Sequence, residues 1–311
     1  MSSRPLATVL GAGGLFGSNV ARHLAGSGDY FPVGEPLVWH DLTRLSAQFA
    51  SVVSRLTTAA REQHRPWVIF WCAGVGHVSS PVAVHQHDQA VLQCLLAAIA
   101  GDDSGDGVLV FASSAGAIYA GNRDWPANEA TSPNAIHAYG ESKLLQEQVI
   151  QEAVDASGNI SAVNLRISNL YGVGQSIDKR QGLLSHLVAH TVRGEPSKIY
   201  VPLDTSRDYL FVGDAAKMAV RAGHVFAGRG AGSCAVQLLA KEENFTVAQI
   251  LGILGRIMKR RIPVLARSTE FTDLQPRLLS FRSHDFDQRS LAKVSIEEGL
   301  SRLLAAHSLT G

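Results

Sequence analysis

The chain has 311 residues, 46% of them hydrophobic and 18% charged, with a formal net charge of +1. That length buries a substantial core as one large domain or two smaller ones. The near-neutral balance gives no support for a nucleic-acid or polyanion binder, which needs a basic excess or stripe, and no apolar run reaches the roughly 18–20 residues of a membrane span.

The opening stretch "MSSRPLATVLGAGG" runs from polar to strand-like to glycine-rich, without the long apolar core and cleavage site of a secretory signal. "LATVLGA" predicts a first strand and "FGSNVARHLAGSG" the helix after it, with Gly11, Gly14 and Gly17 between and just inside them. Glycine at such a junction allows a tight turn, close approach of a phosphate, and close helix–strand packing. The pyrophosphate of a dinucleotide is expected on the helix N-terminus, with the amides near Leu15 and Phe16 as donors. "PLVWHDL" predicts a second strand with Asp41 at its end. A carboxylate there would hold the adenosine ribose hydroxyls and favour NAD, whereas Arg44 nearby could meet the 2′-phosphate of NADP.

A helix follows through "AQFASVVSRLTTAAREQ", then a buried strand "PWVIFWCAG" ended by Gly74. His77, in the loop "AGVGHVSSP", is expected either to line a pocket or to serve as a polar loop residue. A helix around "AVLQCLLAAIAG" leads to a further buried strand in "GVLVFASSAGAIYAG". His85, His87 and Asp88, just before that helix core, lack metal-ligand spacing and are expected on a helix surface. Cys72, Cys94 and Cys234 are scattered and odd in number, the pattern of reduced thiols in a cytoplasmic protein, and no metal site is expected.

"NAIHAYGESKLLQEQ" predicts a helix with Tyr139 and Lys143 one turn apart on one face. "ISAVNLRISNLYG" predicts another strand. The alternation implies a parallel sheet covered by helices. Beyond about residue 172 it loosens into a smaller mixed portion: "GLLSHLVAHTVRGE" helical, "KIYVPLD" strand-like, and "NFTVAQILGILGRIMKRR" an amphipathic helix capped by Thr246. Ser295 and Glu298 have capping-box spacing before a last helix.

In order and spacing, "GAGGLFG", "YGESK", "LRISNLYGVGQ", "RDYLFVGD" and "SIEEGL" resemble the extended short-chain dehydrogenase/reductase family, in its NAD-dependent epimerase/dehydratase branch. The resemblance implies a doubly wound parallel Rossmann sheet over residues 1–172 with parts of 205–240. It also implies a smaller mixed α/β C-terminal lobe, mainly 173–311 and interleaved with the first, that holds a nucleotide-diphosphate sugar. The segment between Asp41 and Trp67 has room for a helix but no clear third strand, as in the shorter sugar-reductase members.

By this resemblance Tyr139 is the acid/base and Lys143 supplies charge and holds the nicotinamide ribose. Ala73 joins the cofactor contacts. A phenol with a pKa near 10 is a poor base, so a neighbouring ammonium and an oxidised nicotinamide are expected to lower it. Ser114 is the expected third hydroxyl, with Ser113 in reserve. Where sugar dehydratases of the family carry an Asp-Glu pair, this chain has Ala115 and Gly116, which disfavours dehydration. Asn169 is expected at the substrate diphosphate, or else as a structural amide. Arg207 is expected to clamp the diphosphate rather than pair with Asp208, with Arg277 as a second positive contact. Asp214 is retained in a position that affects structure more than chemistry.

The expected activity is therefore an NAD(P)-dependent C4-type epimerase or ketosugar reductase acting on a nucleotide sugar. The alternatives are a carbonyl reductase for a non-sugar substrate and a non-catalytic NAD(P)-binding regulator. Relatives suggest a cytoplasmic homodimer packed through the tyrosine helix and the helix before it.

Overall fold

The computed structural model of the protein describes residues 4–102, 106–175, 182–267, 276–285 and 289–308. Its centre is a five-stranded parallel sheet. In spatial order the strands are β1 (Leu6–Leu10), β2 (Trp67–Trp71), β3 (Gly107–Ser114), β4 (Ile160–Ile167) and β8 (Cys234–Leu239). The continuous apolar runs of these strands have a simple cause: both faces are covered. In β2, Trp67, Ile69 and Trp71 face one side, where helices α2 (Leu42–Glu62), α3 (Val82–Ala100) and α5 (Ala138–Ser157) close a core. Val68 and Phe70 face the other, under α1 (Leu15–Ser27) and α7 (Val212–Ala227).

The predicted strand at "PLVWHDL" is absent. Beyond β1 the sheet is continued only by a single parallel bridge between Ala7 and Tyr30. Pro32 and Pro36 cannot donate to a ladder, and Gly34 takes a φ of 93° that departs from strand geometry. The apolar residues that suggested a strand serve packing instead. Trp39 meets Phe49 and Trp71 edge-on at 6.1 and 6.3 Å. No strand lies between Asp41 and Trp67, where α2 fills the segment.

Past β4 the chain turns into β5 (Asn169–Tyr171), which pairs in parallel with β7 (Ser206–Phe211). The latter also pairs with β9 (Asn244–Thr246) and β11 (Leu278–Leu279). A separate pair joins β6 (Ser197–Ile199) to β10 (Val264–Ala266). Helices α6 (Leu183–Arg193), α8 (Val247–Met258) and α9 (Ile296–Ser308) share a third core with Tyr171 and Phe211. Thr246 and Gln249 make the reciprocal capping box of α8, and Ser295 accepts the Glu298 amide at the start of α9. Asp214, at most 1% exposed, accepts the Val294 amide at 2.7 Å and so ties the carboxy-terminal segment to α7.

Candidate active site

The glycine turn begins where β1 ends. Gly11 sits at φ 92°, and a Cβ there would lie 2.6 Å from the Ala73 nitrogen and the Cys72 carbonyl oxygen. A Cβ on Gly17 would collide with the Gly11 carbonyl. These two glycines therefore let β1, β2 and α1 converge. Gly14 has a different task. It caps α1 without any side-chain hydrogen bond, and no acidic residue occupies the first turn. The amides of Leu15 and Phe16 stay open to an anion, helped by the helix dipole. Beside them lies a cavity of about 340 Å³, bounded by the turn and by a loop that includes Tyr30, Glu35 and Trp39.

Asp41 is not part of this cavity lining. It is the N-cap of α2, accepting the Arg44 amide at 3.1 Å, so its expected place at a strand end is corrected along with the missing strand. The carboxylate that lines the cavity is Glu35, overlooked in the sequence although it follows Gly14 by about 20 residues, the spacing such an acid requires.

From Ala73 the chain passes through Gly74 and Gly76 towards α3. Asp88 accepts the amides of Val75 and Gly76, the latter at 2.8 Å, and so fixes this loop against α3. His85 is not on the helix surface: it is 4% exposed, with its ring centroid 5.8 Å from that of Tyr139. The spacing of His85 and Asp88 puts both on one face of α3, since residues three apart on a helix share a face. His87 is half-buried and contacts the Trp39 carbonyl at 3.0 Å. His77 closes a turn with Ser79 and Ser80.

Tyr139 and Lys143 both project from the first turns of α5. The Ser114 hydroxyl lies beside the Tyr139 phenol and opposes the rise of its pKa. Ser114 also caps α4 (Ala115–Ile118), accepting the Ala117 amide at 3.4 Å. Ser113 turns the other way and donates to Glu147 at 2.5 Å, so the structure puts Ser114, not Ser113, beside the phenol. Lys143 donates to the Ala112 carbonyl at 3.1 Å and lies 6.0 Å from the Tyr139 ring centroid. Burial brings its ammonium down to about 8, against the opposing pull of Asp88 and Glu147.

The phenol is not lowered as expected. Burial pushes Tyr139 up to about 12; the Ser114 hydroxyl opposes the rise and Asp88 adds to it. In the chain by itself, desolvation outweighs the opposing Ser114 hydroxyl.

On the far side, the β5–β7 pairing brings Asn169 opposite Tyr209. Asn169 donates to the Asp208 carbonyl at 3.0 Å, and its Oδ1 lies 4.0 Å from where a Cβ on Gly116 would stand. Arg207 donates to the carbonyls of Ser206 and Arg277, at 2.9 and 3.3 Å. It does not pair with Asp208, which is fully buried and accepts the Lys241 and Glu242 amides. Burial pushes the Asp208 carboxyl up to about 6 and lowers the Arg207 guanidinium. Arg277 is exposed and pairs with Asp204 at 2.9 Å, so its carbonyl, rather than its guanidinium, supports Arg207.

Residues 7–229 match the model of the NAD dependent epimerase/dehydratase family. A curated relative, the dTDP-4-dehydro-6-deoxyglucose reductase of Escherichia coli, is 33% identical over 106 residues, 34% of this chain and 33% of that protein. The alignment thus spans about a third of the length of the curated relatives it matches. The fold is similar to that of MoeE5 solved with UDP-glucose and NAD, at a TM-score of 0.78 and 21% identity over 98% of this chain and 99% of that one. It is also similar to a Thermotoga maritima UDP-glucose 4-epimerase solved with UDP-glucose, at a TM-score of 0.76, 21% identity and the same coverages. With its glycine turn, Tyr139–Lys143 helix and doubly wound sheet, the chain belongs to the NAD dependent epimerase/dehydratase family.

Proposed function

We propose that the protein binds NAD and moves a hydride to or from a ring carbon of a nucleotide-diphosphate sugar, as a C4-type epimerase or a ketosugar reductase. The observation that carries this reading is the buried Tyr139 phenol, beside Ser114 and one helical turn from Lys143 on α5.

The residues fit the dinucleotide. The uncapped start of α1 would take the pyrophosphate, Glu35 the adenosine ribose hydroxyls, and Lys143 the nicotinamide ribose. Bound NAD supplies the hydride acceptor or donor and, when oxidised, a positive charge. Glu35 would repel a 2′-phosphate. Arg44, the arginine expected near such a phosphate, lies in the first turn of α2 beside Asp41 and outside the cavity lining. NAD is therefore the cofactor of this reading.

Tyr139 exchanges the proton. When a ring hydroxyl is oxidised, the C–H bond gives up its electron pair as hydride and the O–H proton passes to Tyr139; reduction returns both. A phenol pushed up to about 12 keeps its proton at neutral pH, which suits it to donate to a ketone oxygen. Acting as base requires added positive charge to lower it. Ser114 orients the reacting oxygen. Ala115 and Gly116 have no group that moves a proton, so elimination of water has no catalyst here.

Arg207 and Asn169 would meet the diphosphate. A half-buried guanidinium held by carbonyls, with no carboxylate partner among the described residues, keeps its charge available for an anion. This disfavours a non-sugar carbonyl substrate. The presence of both Tyr139 and Lys143 disfavours a regulator without catalysis. The reading extends to a homodimer through α3 and α5, with Leu145 of α5 exposed, and to the cytoplasm, where free thiols stay reduced. Among the described residues no helix is long and apolar enough to cross a membrane.

Mass spectrometry of the retained cofactor followed by a panel of nucleotide sugars tests the reading. Tyr139→Phe is expected to lower kcat by about 10²–10⁴-fold on the substrate so identified. Unchanged turnover would remove Tyr139 from its role.

A further inference from the structure

His85 has no part in the proton transfer described above, yet its placement is specific. It lies on α3, 4% exposed, with its ring tilted 37° to that of Tyr139 at a centroid distance of 5.8 Å. A Cβ on Gly76 would stand 2.6 Å from Nδ1 and 3.0 Å from Cε1, so the imidazole reaches this position only because residue 76 is glycine. The Gly76 backbone is itself held by Asp88 at 2.8 Å. The imidazole is thus wedged between a fixed loop and the phenol.

Its Nε2 is buried and has no hydrogen-bond partner among the described residues. A buried polar nitrogen without a partner destabilises the folded chain, and native structures keep few of them. Phenylalanine would fill the same place against Tyr139 without that penalty. Other buried polar atoms, such as Thr8 Oγ1 and Trp67 Nε1, also lack a partner among the described residues. His85 differs from them in its contact with Tyr139, which points to something the chain binds at that site. The ring lies between the loop that follows β2 and the acid/base.

We propose that His85 is a further binding residue of this site: its ring backs Tyr139, and its Nε2 hydrogen-bonds an oxygen of the bound ligand close to the reacting carbon. Two ligands present such an oxygen, the sugar through a hydroxyl and the nicotinamide through its carboxamide. The inference rests on Tyr139 marking the reaction centre.

The test uses full-length wild type, His85→Phe and His85→Gln. Melting temperature is measured without ligand, and affinity by calorimetry for NAD⁺ alone and for UDP-glucose on NAD⁺-saturated protein. His85→Phe is expected to melt above wild type, because the unmatched nitrogen is gone, and to bind one of the two probes at least tenfold more weakly. His85→Gln, which keeps a polar end, is expected to recover most of that loss. Weakening towards NAD⁺ assigns the oxygen to the cofactor; weakening confined to UDP-glucose assigns it to the sugar. Unchanged affinity of His85→Phe for every probe the wild type binds overturns the proposal. So does a parallel loss of melting temperature and affinity, which would make His85 a packing residue. Neither readout needs turnover, so a failure of the hydride-transfer reading would be seen separately.

Discussion

Ser113 and Ser114 are neighbours at the end of β3, and their hydroxyls open on two differently built regions. On the Ser113 side the charges are matched. The hydroxyl donates to Glu147, Glu147 pairs with Arg166 at 2.7 Å, and Arg166 reaches the Tyr119 oxygen at 2.6 Å. On the Ser114 side the groups are buried but under-matched. Lys143 has a carbonyl and no carboxylate ion pair among the described residues, Tyr139 is pushed up by burial, and the His85 Nε2 has no partner. The first region is complete within the polypeptide. The second holds its polar groups ready at a cost in stability, as a site completed by a ligand does.

Breaking the matched side should give the largest effect on folding. Glu147→Gln leaves the Arg166 guanidinium buried without its counter-charge and is expected to cost about 3–5 kcal/mol in urea denaturation. The NAD⁺ affinity of the folded fraction should stay the same. The paired serines sharpen the contrast. Ser114→Ala should lower kcat by about 10²-fold through loss of one donor at the reacting oxygen. Its stability should change by less than about 1 kcal/mol, since it caps a helix of only four residues. Ser113→Ala should do the reverse, lowering stability with kcat unchanged.

Lys143→Met should remove activity and yet stabilise the protein. A buried ammonium brought down from 10.5 to about 8 binds fewer protons folded than unfolded between those values. Its burial therefore costs most below pH 8, on the order of 3 kcal/mol, and the cost fades as pH rises to 10.5. The stability gain of Lys143→Met should follow that course, full at pH 7 and gone near pH 10.5. A constant gain across the range would rule out the buried charge as its source. The smallest effect belongs to Asp41→Ala. Loss of a helix cap should cost about 1 kcal/mol of stability and leave NAD⁺ affinity unaltered.

Much of the sheet could be read from the sequence because its strands are covered on both faces, and a continuous run such as "WVIFW" has few other uses. The Tyr139–Lys143 spacing and the glycine turn were equally legible, since both are set by local backbone geometry. The second strand was misread because apolar content at Leu37 and Trp39 was taken for a ladder, when those side chains pack on α2 and β2 and two prolines forbid the ladder. Without the strand, Asp41 falls at the start of α2 and Glu35 takes the place beside the cavity. His85 was taken for a surface residue because helical spacing does not show what stands opposite; only the Gly76 backbone, brought there by Asp88, makes room for a buried ring. The direction of the Tyr139 shift depends on burial against charge, a balance that spacing cannot supply.

The single bridge at Tyr30 has a consequence for self-association. The outer margin of β1 would otherwise offer a row of free backbone groups to which another chain could add by strand pairing. Ala7 spends its amide on the Asp29 carbonyl and its carbonyl on the Phe31 amide. Pro32 then turns the chain away with no amide to lend. The outer margin of β1 is thus partly closed: Ala7 has no backbone group left for another chain, which disfavours edge-to-edge pairing at that point.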